Sequence, residues 1–167
     1  MKAYFENPQG YDCPKLYEGK NSIGELSAIY DFTLDPVAPI TWHDGLGGRY
    51  QPNKHYSTDY GSIPKWLQPW IPKDRYLMSF LFHDSACEHE GMWYAAPGET
   101  VFVFVEMSRK EANAMLREMV LVEGALCEEI EPGKLKRDAK WIQYGTDVAA
   151  WWNRIRGRGP KYARSVE

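Results

Sequence analysis

The chain has 167 residues, the length of one domain and enough to bury a sizeable core without disulfide staples. Hydrophobic residues at 44% and charged residues at 26% exclude a disordered chain. A net charge of −3 with a pI near 5.8 excludes a general nucleic-acid-binding surface. Cys13, Cys87 and Cys127 form no CxxC pair and no even-numbered framework, which points to a reducing compartment. The opening "MKAYFENPQGYDCP" carries no apolar h-region, so no secretory signal is expected. No apolar run reaches the length of a membrane span, and the cytoplasm is the expected place of synthesis.

Along the chain, "SAIYDFTL" (Ser27 to Leu34) is rich in strand formers and stops at Asp35-Pro36. Asp44-Gly45 and Gly47-Gly48 are turn signals between "ITW" and "RY", which predicts a hairpin or a glycine-rich loop. "GLGG" is not a phosphate loop, because it lacks the Gly-Lys-Ser/Thr ending. Pro72 is a good helix start, and a helix is predicted from Lys73 to about His89. Its stripe is Tyr76, Phe80, His83 and Cys87, with Leu77, Leu81 and Asp84 beside it. "AAPGE" breaks the chain, and "TVFVFVEM" reads as a buried strand or an apolar insertion.

"SRKE" (Ser108 to Glu111) is a capping box opening a helix with apolar face Ala112, Met115, Met119 and Val122, and Gly124 is placed to end it. A last helix is predicted from about Leu135 to Arg156, along Leu135, Ala139, Ile142, Ala149, Trp152 and Ile155. Met115, Met119 and the late tryptophans lie at helical spacing and read as core. Strand signals first and helix signals after predict an α+β fold: a β-rich N-terminal half, as a small antiparallel sheet or hairpins, packed on three C-terminal helices. One domain is expected over residues 1–158, with a basic tail over 159–167. The end of the chain, "RIRGRGPKYAR", holds Arg154, Arg156, Arg158, Lys161 and Arg164. It reads either as a solvated terminus or as a contact to phosphates or an acidic partner.

The candidate chemistry lies between His55 and His89. A His-Asp pair, His83-Asp84, closes the apolar run "YLMSFLF", and Asp59 stands on a turn before Ser62-Ile63-Pro64. A His nitrogen with one or two carboxylate oxygens can hold a divalent metal that activates water for hydrolysis. Asp59, His83 and Asp84 are therefore the candidate catalytic and metal-ligating residues. His55 and His89 are possible extra ligands, and His43 or His55 with Asp138 or Asp147 could complete a His-Asp phosphohydrolase set. The competing reading is a polar clamp, in which Asp59 fixes its own turn and His83 and Asp84 are satisfied inside the core. Ser62 lacks a nucleophile elbow, although His83 could serve as its base. Cys87 lies one helical turn after His83, the spacing of a Cys–His dyad, and otherwise reads as a buried apolar cysteine. "CEHEG" reads as a chelating run or as a solvated helix end.

"STDYGSIPKWLQPWIP" followed by "RYLMSFLFHDSACEH" resembles the signature of a phage and prophage family, domain-of-unknown-function family 1353. The likeness rests on Thr58, Asp59, Ser62, Ile63, Pro64, His83 and Asp84, on "SRKEANAML" (Ser108 to Leu116), and on the closing "WWNRIRGRG". It covers roughly residues 50 to 158. Two departures stand out: His-Asp continues here as Ser85-Ala86-Cys87, and Asn113 stands where the family has Asp. Thr58, Ser62 and Asn113 are the binding candidates that the resemblance adds. It implies a bacteriophage context. Within it, the aromatic load, the basic tail, "TVFVFVEM" and Asn113 favour a structural or accessory protein, such as a virion, tail or neck component, acting through other phage proteins. The alternative is a metal-dependent hydrolase of peptidoglycan or a phosphoester. Expected surroundings are the host cytoplasm and, for a structural component, the virion. Homo-oligomerisation is compatible with either reading, and nucleic acid is expected only at the basic tail.

Overall fold

The computed structural model describes residues 2–6, 16–20, 26–31, 40–53, 55–58, 71, 76–126 and 130–155. The strands are β1 (Tyr4–Glu6), β2 (Leu16–Lys20), β3 (Leu26–Asp31), β4 (Thr41–His43), β5 (Arg49–Gln51) and β6 (His55–Thr58), then β7 (Gly91–Ala95) and β8 (Val103–Glu106). Helix α1 (Leu77–His89) precedes β7, and α2 (Arg109–Ala125) and α3 (Pro132–Ile155) follow β8. Five strands pair antiparallel in the order β1-β4-β5-β7-β8, and three pair antiparallel in the order β2-β3-β6. This is the α+β arrangement expected, with one refinement. The β7–β8 hairpin follows α1 and completes a sheet begun before it, so strands and helices are not cleanly segregated along the chain.

The local chemistry explains the turns. Asp44 Oδ1 accepts from the N–H groups of Leu46 (2.8 Å) and Gly48 (2.7 Å), and Gly47 takes the left-handed φ of +96° that an L side chain resists. The β4–β5 hairpin is thus closed by its own sequence. Ser108 and Glu111 form the capping box: the Ser108 N–H donates to Glu111 Oε2 (2.8 Å) and the Glu111 N–H to Ser108 Oγ (3.3 Å). Gly124 does not end α2, which continues to Ala125 with Leu126 as its C-cap. It is buried, and a Cβ there would meet a Leu135 methyl and the Tyr76 ring, so Gly124 lets α2 and α3 approach.

The strongest departure from the expected pattern is α1. It has no single apolar stripe, because residues Met78 to Ala86 are all buried. Met78, Phe82 and Ala86 pack toward the five-stranded sheet with Phe5, Ile40, Trp42 and Met92. Tyr76 and Phe80 pack on the other side with Leu116, Val120, Leu135, Ala139 and Ile142. A helix buried all round sits between two cores, and every polar group on it needs a protein partner. Trp141, at helical spacing and expected in the core, is instead 45% exposed, because the buried stripe of α3 runs through Leu135, Asp138, Ala139 and Ile142.

The α1 helix ends at Glu90, a non-glycine residue in the left-handed region (φ 54°, ψ 31°), and passes directly into β7. Gly91 is held close beneath β8. A Cβ there would meet the Val105 carbonyl oxygen and the Phe104 ring, and the carbonyl, being backbone, cannot step aside. Gly91→Ala should therefore cost about 1–3 kcal/mol through overpacking. Urea denaturation would show this, and an unchanged midpoint would contradict the close approach.

Candidate functional site

Four polar side chains interrupt α1: Ser79, His83, Asp84 and Ser85, all buried. Ser79 and His83, one turn apart, face α2, and Ser85 faces the segment after β5. Glu123 of α2 receives the Met78 N–H (3.0 Å), the Ser79 N–H (2.9 Å) and the Ser79 hydroxyl (2.6 Å). Its carboxylate satisfies N–H groups at the start of α1, where the helix dipole also favours negative charge. Asn53 donates from its backbone N–H (2.8 Å) and its side-chain amide (3.0 Å) to Ser85 Oγ, and from the same amide to the Gly91 carbonyl (3.0 Å).

The third contact is centred on His83. Its Nε2 lies 2.8 Å from Asn113 Oδ1 on α2, and Asn113 Nδ2 donates to Asp147 Oδ1 on α3 at 2.6 Å. The direction of this chain follows from Asp147. A carboxylate only accepts, so the Asn113 amide must turn its N–H toward it and its oxygen toward His83. His83 Nε2 then carries a proton, which also points at Cys87 Sγ, 3.5 Å away. The other nitrogen, Nδ1, is buried with no hydrogen-bond partner and faces Asp84 Oδ1 at 3.5 Å. Burial works against charge on His83, but Cys87 and Asp84 outweigh it and hold the imidazole well above its ordinary value of 6.5. His83 thus lies with Nδ1 against a carboxylate and Nε2 against an amide oxygen, held from both sides.

Of the residues singled out in the sequence, His83, Asp84 and Asn113 come together, with Cys87 one turn along α1. Asp59 and Ser62 lie outside the described residues. Thr58 closes β6, where its backbone pairs with Ala28. His43 belongs to a separate contact: its Nε2 meets Glu6 Oε2 at 2.7 Å and its ring stacks on Tyr4 at 4.2 Å. Asp138 accepts from the Tyr76 hydroxyl at 3.3 Å. Asp147, one of two aspartates nominated for the set, is the one that joins it. Among the described residues no group of three or more His, Cys, Asp or Glu side chains is arranged to hold a metal ion. No described helix is long and apolar enough to cross a membrane.

Asn113 has a clear physical role. Its amide donates one hydrogen bond and accepts another, which a carboxylate at the same position could not do while facing Asp147. Sequence reasoning missed Glu123 and Asn53. A signal for Glu123 existed: Asn113, Leu116, Val120 and Glu123 share one side of α2, so two polar residues stand in an otherwise apolar stripe. Comparison with family models, with curated proteins and with solved structures found no match.

Proposed function

We propose that this protein acts through protein contacts, as a structural or accessory component of a bacteriophage assembly such as a virion, tail or neck, and not through catalysis. The observation that carries the non-catalytic part is the closed chain His83–Asn113–Asp147. It commits His83, one of the candidate catalytic residues, to tying α1, α2 and α3 together. The phage context is supported by the motif resemblance around Thr58–Pro64 and His83-Asp84.

Two exposed apolar surfaces suit contact with partners. On the β7–β8 hairpin, Trp93 and Phe104 sit across from each other with ring centroids 5.9 Å apart, and Val101 and Val103 are exposed nearby. On α3, Trp141, Tyr144 and Val148 are exposed at helical spacing. Aromatic residues at the surface are favoured anchors of interfaces. Mass spectrometry of purified virions tests the structural version, and pull-down from induced lysogens tests the accessory one. Detection in the particle, or a co-purifying phage protein lost in Trp93→Ser/Phe104→Ser, supports the reading. Absence from both preparations would sink it.

A metal-dependent hydrolase is the second reading, favoured by one observation. The buried His83 Nδ1 without a hydrogen-bond partner and the Asp84 oxygen 3.5 Å away are the two donors a divalent ion would share. Elemental analysis of the purified protein and melting with and without a chelator decide it. A stoichiometric divalent ion whose removal lowers the melting temperature, together with a folded His83→Ala variant that loses a hydrolytic activity, would replace the contact-based reading with this one.

A further inference from the structure

A cleft of about 790 Å³ opens between the inner face of the five-stranded sheet and α2, and its lining shares no residue with the His83 cluster. Its volume falls in the range of small-ligand sites. The sheet supplies an aromatic wall of Trp42, Tyr50 and Tyr94, with Tyr50 and Tyr94 ring centroids 4.8 Å apart. Four carboxylates, Asp44, Glu106, Glu111 and Glu118, line the same cleft, and among the described residues no Lys or Arg does. Asp44 is engaged in the β4–β5 turn and Glu111 in the capping box. Glu106 and Glu118 form no ion pair among the described residues.

Two further features mark the cleft. Burial first, and then the nearby carboxylates Asp44 and Glu118, push the Tyr50 hydroxyl up to about 12. Trp42 is fully buried in the wall, and its indole N–H has no acceptor among the described residues, so a cation would meet its ring and not its N–H. Clustered carboxylates beside an aromatic face, without a resident cation, favour a positive group carried on an apolar stem, because the rings attract the charge and cover the stem.

We propose that this cleft binds an organic cation, a guanidinium or alkylammonium group, with Glu106 and Glu118 as counter-charges and Trp42, Tyr50 and Tyr94 as its aromatic wall. The site is independent of the contact-based function. Two sources offer this chemistry: an external ligand, or the chain's own Arg156, Arg158, Lys161 and Arg164. Helix α3 runs antiparallel to α2, with Asn113 opposite Asp147 and Arg117 opposite Gln143. The end of α3 at Ile155 is therefore directed toward the start of α2, where Met107 and Glu111 line the cleft.

The test titrates the full chain with Nα-acetyl-arginine methylamide and with its neutral citrulline counterpart, at physiological ionic strength. The readouts are calorimetry and the indole N–H resonance of Trp42. The expected result is saturable binding of the arginine compound, about tenfold tighter than the citrulline one, and weakened about tenfold in Glu106→Gln/Glu118→Gln at unchanged melting temperature. A second full-length variant changes Arg156, Arg158, Lys161 and Arg164 to Gln. Tighter probe binding in that variant identifies the chain's own cations as the occupant, and unchanged binding identifies an external one. Equal affinity for the two compounds, undiminished affinity in the double glutamine variant, or no saturable shift in both the native chain and the tail variant would overturn the proposal.

Discussion

Replacing His83 by alanine should destabilise the protein by about 3–5 kcal/mol, because it removes a buried neighbour of Asp84 and the donor to Asn113 and opens a cavity. Three losses combine. Asp84 loses the ring beside its Oδ1, Asn113 Oδ1 loses its donor, and a void opens between α1 and α2. Urea denaturation of the variant measures the sum. A double-mutant cycle with Asn113→Ala isolates the His83–Asn113 term, expected at about 0.5–3 kcal/mol for directly bonded neighbours. The pH dependence separates this from simple cavity formation. The folded-state value of His83 lies above its unfolded one, so its charge-borne stabilisation is complete below the ordinary 6.5 and is lost as pH rises through the raised value. The native chain should therefore lose stability on the alkaline side of neutrality, and His83→Ala should lack that step. A variant within 1 kcal/mol of native, flat or not in pH, would remove the clamp.

Glu123→Ala is expected to be comparably severe, about 3–5 kcal/mol, since it strands the N–H groups of Met78 and Ser79 and the Ser79 hydroxyl away from water. Glu123→Gln should fall between, because its amide nitrogen turns one acceptor into a donor facing donors. Burial raises the Glu123 carboxyl above its ordinary 4.5, and the hydrogen bonds from Ser79 and Met78 offset part of that rise. The folded state thus takes up a proton before the unfolded state does. This contribution is full below 4.5 and is lost as pH rises through the raised folded value. Stability followed by denaturation across mildly acidic pH should show that increment in the native chain and not in Glu123→Gln. Equal profiles for the two proteins would mean that Glu123 is solvated and not the cap of α1.

Much of the fold was legible where local chemistry is self-sufficient. Ser108 with Glu111, and Asp44 with Gly47, carry their structures in a few adjacent residues. Helix α1 was legible in place but not in its packing, because apolar residues aimed at two cores erase a one-sided stripe. The β7 strand was missed because Gly91, next to the end of α1, reads as part of a helix end, whereas Glu90 takes the left-handed position and Gly91 begins the strand. Gly124 looked like a helix end because glycine so often is one, whereas its missing Cβ serves the approach of α3. At the site, a His-Asp pair closing an apolar run was conspicuous. Its partners were not, since which faces of α2 and α3 meet α1 is a tertiary fact that spacing along the chain does not carry.

Gln51 on β5 stands opposite Trp93 on β7, with all of β6 and α1 in the chain between them. The β4–β5 and β7–β8 hairpins each close a short loop, while joining β5 to β7 encloses a much longer one and costs correspondingly more chain entropy. Asn53 spans that same junction, bonding Ser85 on α1 and the Gly91 carbonyl at once. Separate assembly of the two halves, joined when α1 docks, is the order this topology predicts. Until then each half presents an unpaired strand edge to the surroundings, so the interval before docking is when this chain is most exposed to association with other copies of itself.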